Sequence, residues 1–382
     1  MNPLRRLVRR LLAGELAGLA KSVAVLERKV GHLVTQGKEQ ERLLTLLAAR
    51  STEFAEHAAA HRQMTRRATA LAASRRPIIV GPWCGEVGFE LLYWIPFLTW
   101  LAGRRDLDRR RLIVLTRGGA RVWYRHLADE GAEILDYVTA DTFREQTGTL
   151  KQSAVSAFDR DLLRKVVRAR RLVRPRILHP QVMYRLFVPY WKELPVLEPI
   201  TSFLTYRRLE GVADHPVLES LPDEYVAVKF YFSRAFPDTP ENRAFVRRVV
   251  DAVSEEHPVV VLHTGGRLDD HDDAVIPRSP RVHVVQPEAR DNLVAQTAVL
   301  AKAAAFVGTY GGFSYLAPLC GVDALSFYSA RDQFMPFHLE HAQRTFGRPG
   351  HGRFVALDVD DTALVASSVA ALAARPVRAV GP

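Results

Sequence analysis

Ala304-Ala305-Phe306-Val307-Gly308-Thr309-Tyr310-Gly311-Gly312-Phe313-Ser314-Tyr315-Leu316-Ala317-Pro318-Leu319 is the stretch on which the fold turns. Ala304 to Val307 is apolar and reads as a buried strand. Gly308 to Ser314 reads as a turn of glycine and hydroxyl residues, and Tyr315 to Leu319 as the helix that follows. A strand, a glycine-rich turn and a helix in succession form the repeating unit of a doubly wound α/β sheet. The turn's amides, with Thr309 and Ser314, make an anion cradle suited to a diphosphate. A tight turn without a ligand is the plainer alternative.

The unit recurs on both sides of this stretch. Upstream, Tyr225 to Tyr231 reads as a strand, Asn242 to Val253 as a helix and Val259 to Leu262 as a fully apolar strand ending in His263-Thr264-Gly265-Gly266. Val282 to Val285 is a further strand, Asn292 to Ala303 a helix, and Asp323 to Tyr328 a strand after the turn. Strands alternating with helices at this spacing predict parallel pairing with right-handed crossovers. Lys229 or Arg234, from the first strand of this half, can supply a cation to the cradle. His263 can contact the same ligand or serve as a buried structural histidine. Glu288 and Asp291 precede a helix and read as caps, with ribose binding as the lesser option.

An earlier α/β unit begins at Ile78-Ile79-Val80 and runs into Gly81-Pro82-Trp83-Cys84-Gly85-Glu86-Val87-Gly88-Phe89-Glu90, followed by an apolar helix from Leu91 to Leu101. The glycines at 81, 85 and 88 do not match the dinucleotide spacing G-x-G-x-x-G, and no Gly-Lys-Ser/Thr follows as a P-loop requires. The turn instead carries a carboxylate, Glu86, at the sheet edge where open α/β folds bind ligands. Held near Trp83 and Phe89, Glu86 can act as a general base with a raised pKa. Alternatively it caps the helix through the dipole. Glu90 is expected to face solvent or a neighbouring arginine. Arg111 to Leu115 is the next strand, ending in Thr116-Arg117-Gly118-Gly119-Ala120. Arg117 can hold an acceptor phosphate or carboxylate, or pair with an acidic neighbour.

The chain has 382 residues and a net charge of +11, from 53 basic and 42 acidic side chains. Residues 1–77 hold 15 Lys/Arg against 6 Asp/Glu, a net +9, so the basic character belongs mainly to this N-terminal arm. Leu12, Leu19, Leu26 and Leu33 fall seven apart, with Leu16, Val23 and Val30 between them. That heptad favours a parallel two-stranded coiled coil and hence a homodimer; a stripe packed on the chain's own body is the other option. Arg5, Arg6, Arg9 and Arg10 among Leu4, Leu7, Val8, Leu11 and Leu12 form a short amphipathic segment suited to an anionic membrane surface. Residues 159–176 form a second basic amphipathic helix, from Arg160 to Arg176, read as a solvated face, a membrane-facing patch or a site for a negatively charged acceptor. The arm lacks a recognisable nucleic-acid module, so no nucleic-acid partner is expected.

No window reaches the length of a membrane span, and the arginine-rich start is unlike a signal peptide. Two cysteines, Cys84 and Cys320, allow neither a disulfide framework nor a metal site. A cytoplasmic location follows, with peripheral attachment to the inner face of the cell membrane as an extension.

With its turn from Gly308 to Ser314 and the following Ala317-Pro318-Leu319-Cys320-Gly321-Val322, the second half resembles the donor-binding half of GT-B glycosyltransferases. The layout covers roughly residues 77–375 and is specific around 292–328. The resemblance implies two Rossmann-like α/β domains facing a cleft, preceded by a long N-terminal helix or coiled coil: an arm over 1–75, an acceptor domain over 76–215 and a donor domain over 216–375. It implies transfer from a nucleotide-sugar donor to a glycan or lipid-linked acceptor, without metal or other cofactor. Helix amides and cations stabilise the leaving diphosphate. Donor binding falls to Lys229, Arg234, His263, Thr309, Tyr310, Gly311, Gly312 and Ser314, acceptor binding to Trp83, Gly85 and Arg117, and base catalysis to Glu86 if configuration inverts. Rival readings are a GT-B-shaped epimerase, a pyruvyl-type transferase, or a non-catalytic coiled-coil protein with a sugar-binding body.

Overall fold

A computed structural model describes residues 3–105, 107–147, 152–193, 198–264, 271–347 and 350–362, with backbone alone for 3–20, 68, 72 and 105. It divides into two compact units, Met1–Ala59 with Glu193–Leu197, and Ala60–Lys192 with Glu198–Pro382. The first consists mainly of helix α1, Pro3–Ala73, which continues into the second unit for its last turns. In those turns Met64 and Leu71 are buried; Arg67 of the helix donates to the carbonyl of Ile177, and Arg111 donates to the Leu71 carbonyl of the helix and to the Arg76 carbonyl just after it. Farther back, Leu26, Leu33, Leu44 and Leu47 are 59–66% exposed. These side chains of the heptad stripe stay uncovered among the described residues. The arginines and leucines at positions 4–12 have side chains outside the described residues.

The second unit holds two parallel sheets. The first is built from β1 (Ile78–Val80), β2 (Leu112–Thr116), β3 (Glu130–Glu133) and β4 (Arg176–Leu178), in the order β3-β2-β1-β4. Between β1 and β2 runs a helix that opens as α2 (Val87–Phe89), passes a π turn at Glu90–Trp94 and continues as α3 (Ile95–Arg105). Helices α4 (Ala140–Thr147) and α5 (Ala157–Ala169) follow β3, and α6 (Gln181–Trp191) follows β4. Ile79, Leu115, Ala132, Phe143, Leu162 and Val166 form the core of this half.

The second sheet contains β5 (Val226–Lys229), β7 (Val259–Leu262), β9 (Val282–Val285), β10 (Ala305–Thr309), β11 (Ala324–Tyr328) and β12 (Phe354–Asp358). Short β6 (Tyr231–Phe232) and β8 (Asp272–Asp273) pair separately as an antiparallel ribbon. The helices here are α7 (Pro240–Glu256), α8 (Asn292–Lys302), α9 (Gly312–Cys320) and α10 (Pro336–Phe346). The spatial order β12-β11-β10-β5-β7-β9 reads, in chain order within this half, as 6-5-4-1-2-3. That is the Rossmann arrangement, and its switch point lies between β5 and β10. In the first sheet the order also reverses, between β1 and β4. Both halves are therefore Rossmann-like, with the ligand-binding edge of each fixed by topology.

Several expected boundaries shift, for identifiable reasons. The strand before the glycine turn extends to Thr309, because Gly308 and Thr309 still pair with Ser326 and Phe327. Helix α9 opens at Gly312, three residues early, so only Tyr310 and Gly311 remain as the turn. The basic helix stops at Ala169, and Arg176 already pairs with Ile78 as an edge strand.

The boundary at Ala60 fixes where the arm can be removed. Deleting residues 1–59 is expected to leave a folded body, whereas deleting through 75 also strips Met64 and Leu71 from the core, at about 2–5 kcal/mol for each side chain of this kind. Thermal melting of the two truncations checks this; equal stability would contradict it.

Candidate functional site

The carboxyl ends of both sheets open into one cavity of about 520 Å³. From the first half it is lined by Glu86, Val87, Gly88 and Phe89, which follow β1, and by Arg117 and Gly118, which follow β2. From the second half come Lys229 and Tyr231 after β5, Thr264 after β7, and Tyr310, Gly311 and Gly312 after β10. The carboxyl ends of the two sheets thus face each other, as the Rossmann rule requires of a shared ligand site.

The two halves meet closely. A Cβ on Gly312 would lie 2.8 Å from Val87 Cγ1 and 3.0 Å from the amide nitrogen of Gly88. Only glycine lets the N-terminus of α9 approach α2 in this way. Gly311, at φ +148°, has no room for a Cβ against the Tyr231 hydroxyl. Other ties join the halves: the Gly118 carbonyl accepts from the amides of Leu293 (2.8 Å) and Val294 (3.0 Å), closing the open end of α8. Trp123 Nε1 donates to Thr297 Oγ1 at 3.0 Å.

Glu86 stands at the N-cap of α2 in extended conformation, half-buried, and its side chain makes no capping hydrogen bond to the helix. It lines the cavity. Its charge contributes to the raised pKa of Tyr184, after burial, the larger cause.

Glu90 lies beneath it and is fully buried. The Tyr124 hydroxyl donates to it at 2.6 Å and Arg117 Nη1 at 3.3 Å. Burial pushes the Glu90 carboxyl up to about 7, against the opposing pull of Arg117 and Tyr124. Arg117 Nη2 donates to the Gly85 carbonyl at 2.7 Å. One guanidinium thus holds the turn that carries Glu86 and neutralises the carboxylate behind it. Of the two uses foreseen for Arg117, pairing with an acidic neighbour is the one its contacts show, although its side chain also borders the cavity. Next to it, the Glu133 carboxylate accepts from the amides of Gly118, Gly119 and Leu135.

Four expected ligand contacts turn out to be structural. Trp83 has no exposed surface, stacks on Trp94 and Tyr184, and does not border the cavity. Gly85 acts through its carbonyl on Arg117 and otherwise faces the Trp83 ring. Thr309 is the last ladder residue of β10: its hydroxyl accepts from the Tyr231 amide and donates to the Tyr231 carbonyl, joining β10 to β6. Ser314 is buried and caps α9, accepting from the Gly311 amide at 3.0 Å and donating to the Gly311 carbonyl at 2.7 Å. Thr309 and Ser314 lie inside a strand and a helix that sequence reading had left as turn, whereas Trp83 and Gly85 stay in the loop after β1.

The cations divide. The Lys229 ammonium is buried and surrounded by the Leu262 carbonyl, Thr264 Oγ1, Asp273 Oδ1 and Gln296 Oε1, at 2.9–3.2 Å. It borders the cavity floor but is already neutralised by Asp273. Arg234 is exposed at the cavity mouth beside Ser233. His263 is half-buried with Nδ1 3.5 Å from Asp273 Oδ2, and it does not line the cavity. Gly265 and Gly266 lie outside the described residues. Tyr310 lines the cavity, with its ring 5.1 Å from Phe334.

Sequence reading missed His338, Asn292 and Asp273. His338 enters the cavity from α10, with Nδ1 2.6 Å from the Tyr93 hydroxyl. Pro336 at the first turn of α10 was the available signal for that helix. Asn292 donates to the Thr264 carbonyl at 2.8 Å. No local pattern singles out Asp273 among the neighbouring aspartates of the sequence.

No family model matches the chain, and no curated protein matches it. Among solved structures, it is similar to a family 9 glycosyl transferase from Veillonella parvula DSM 2008, at 11% identity and TM-score 0.44, covering 78% of this chain and 90% of that one. It is also similar to ADP-heptose lipopolysaccharide heptosyltransferase II of E. coli, at 13% identity and TM-score 0.41, covering 74% and 90%. A UDP-N-acetylglucosamine 2-epimerase gives 13% identity and TM-score 0.31, covering 77% and 87%.

Proposed function

We propose that this protein is a glycosyltransferase. It takes a nucleotide-sugar donor in the second half and passes the sugar to a hydroxyl of a glycan or lipid-linked acceptor in the first. The single supporting observation is the shared cavity, in which the β5/β10 switch point and the start of α9 face Glu86. The amides at the N-terminus of α9, with the helix dipole, favour the diphosphate. Arg234 supplies the cation at the mouth, and Lys229 shapes the floor through Asp273, Thr264 and Gln296 rather than by a free charge. Transfer proceeds without a metal: helix amides and Arg234 receive the charge that develops on the leaving diphosphate. Glu86 takes the proton of the attacking hydroxyl as that oxygen bonds to the anomeric carbon, and the bond from that carbon to the diphosphate breaks.

The arm belongs to the same proposal. Its exposed heptad stripe pairs with a second copy as a parallel coiled coil, giving a cytoplasmic homodimer held at the inner face of the membrane by the basic start of α1. Removal of residues 1–59 is expected to yield a monomer by light scattering. A truncated protein that stays dimeric would refute the pairing.

Product analysis with a panel of nucleotide sugars tests the activity. Transfer, with release of nucleoside diphosphate, is expected for one of them. Conversion of the donor to an isomer with no diphosphate released would establish an epimerase in its place.

A further inference from the structure

Helix α5 carries charge that the fold does not use. Its apolar face, Leu162, Leu163 and Val166, is buried in the first half's core. Its other face presents Arg160, Arg164 and Arg168 four residues apart, and Arg170, Arg171, Arg174 and Arg176 continue through the next turn and into β4. Between 160 and 176 there are eight basic side chains and one acidic one. Like charges at four-residue spacing repel and destabilise a helix, so this row is not explained by helix stability.

Compensation within the chain is partial. Asp161 meets Arg164 at 3.4 Å and Lys165 at 3.1 Å. Glu130 meets Arg170 at 3.0 Å. Among the described residues, no carboxylate pairs with Arg160, Arg168, Arg171, Arg174 or Arg176, and all five are exposed. In the middle of them stands Val173, 78% exposed, between Arg171 and Arg174, which both adopt positive φ. An exposed aliphatic side chain flanked along the chain by arginines has the composition of an interfacial lipid contact: cations on headgroup phosphates, a branched alkyl group in the layer beneath.

We propose that this surface docks the body on an anionic lipid bilayer. Nucleic acid is the less suitable partner. The aromatic ring on this helix, Phe158, packs at 6.3 Å on Phe143 instead of standing out to stack on a base. The placement also suits a lipid-borne substrate: α5's apolar face shares a cluster with Phe143 and Leu135, and both of these line the cavity. A single weak anchor holds a protein to a membrane only marginally. This second surface, on the body itself, would fix which way the cavity faces. The docking does not depend on the transferase reading.

Co-sedimentation of the full chain with phosphatidylcholine vesicles, with and without phosphatidylglycerol, tests it. The protein is expected to bind only the anionic vesicles, less as salt rises. Combined Arg160→Gln, Arg168→Gln, Arg171→Gln and Arg174→Gln should weaken partitioning at least about 100-fold, since each arginine near an anionic surface contributes about fivefold. The melting temperature should not move, because these side chains are exposed. Val173→Asp alone should weaken binding several-fold and keeps the test open if the fourfold variant fails to fold. Unchanged partitioning of either variant overturns the proposal. So does a wild-type protein that ignores anionic vesicles but binds a duplex RNA or DNA probe through the same arginines.

Discussion

Glu86→Gln is expected to lower turnover by about 10²–10⁴-fold while donor binding stays within a factor of about two. The substitution keeps the shape of the side chain and removes its ability to take a proton. Glu86 makes no capping hydrogen bond to α2, so the helix loses little with the charge. In the proposed transferase the donor diphosphate binds at α9 and Arg234 rather than at Glu86, so affinity for nucleoside diphosphate should persist. Diphosphate release during transfer, compared with calorimetric binding of the same diphosphate, separates the two quantities. Unchanged turnover would leave Glu86 an orienting group, as expected of a retaining enzyme.

The second large effect lies one helical turn away. Arg117→Met is expected to destabilise the protein by about 3–5 kcal/mol above pH 7, because it leaves the fully buried Glu90 carboxylate without its cation. The wild type should already show part of this pH dependence. Burial raises the Glu90 carboxyl from 4.5 to about 7 in the folded state. The folded form therefore holds the proton that the unfolded chain releases near 4.5. The associated stability is fully present below 4.5 and is lost as pH rises through 7, by about 3 kcal/mol at 1.36 kcal/mol per pH unit. Glu90→Gln removes this dependence, so its stability relative to wild type should rise from pH 5 to about pH 7 and level off by pH 8. Denaturant melts across that range check the sign; parallel curves would place the Glu90 carboxyl at its ordinary value. In Arg117→Met the deficit should shrink toward pH 5, as Glu90 takes up its proton.

Much of the fold was legible because strands buried on both faces are apolar runs punctuated by glycine and proline. Val259–Leu262 and Val282–Val285 were read to the residue. By contrast β3 is Glu130-Gly131-Ala132-Glu133, an edge strand with only Ala132 buried, and it carries no hydrophobic period to detect. Strand β4 was hidden because Arg176 ends an arginine run and the strand has just three residues. The π turn at Glu90–Trp94 left no trace in the pattern either.

The site was legible to the level of the turn but not of the side chain. Two glycine turns at sheet edges pointed to residues 81–90 and 308–314, and the structure brings both to one cavity. Which hydroxyls face the ligand depended on where strand and helix stop, and a shift of two or three residues moved Thr309 into a ladder and Ser314 into a cap. Lys229 was read within a strand running on to Tyr231, and it is in fact the last residue of β5. Its partner Asp273 comes from β8, 44 residues later in the chain, a contact that no local pattern encodes. Glu90 was read as facing solvent or a neighbouring arginine; it faces an arginine, Arg117, but its full burial could not be told until Arg117 and Tyr124 were in place.

The most direct test is a calorimetric titration of the full-length protein with ADP, UDP, GDP and CDP, repeated on Arg234→Gln. One diphosphate should bind, with affinity lower by roughly tenfold in the variant, consistent with loss of a charged hydrogen bond to phosphate. No binding by any of the four, or equal affinity in wild type and variant, would mean that the cavity between the two sheets does not hold a diphosphate in this way.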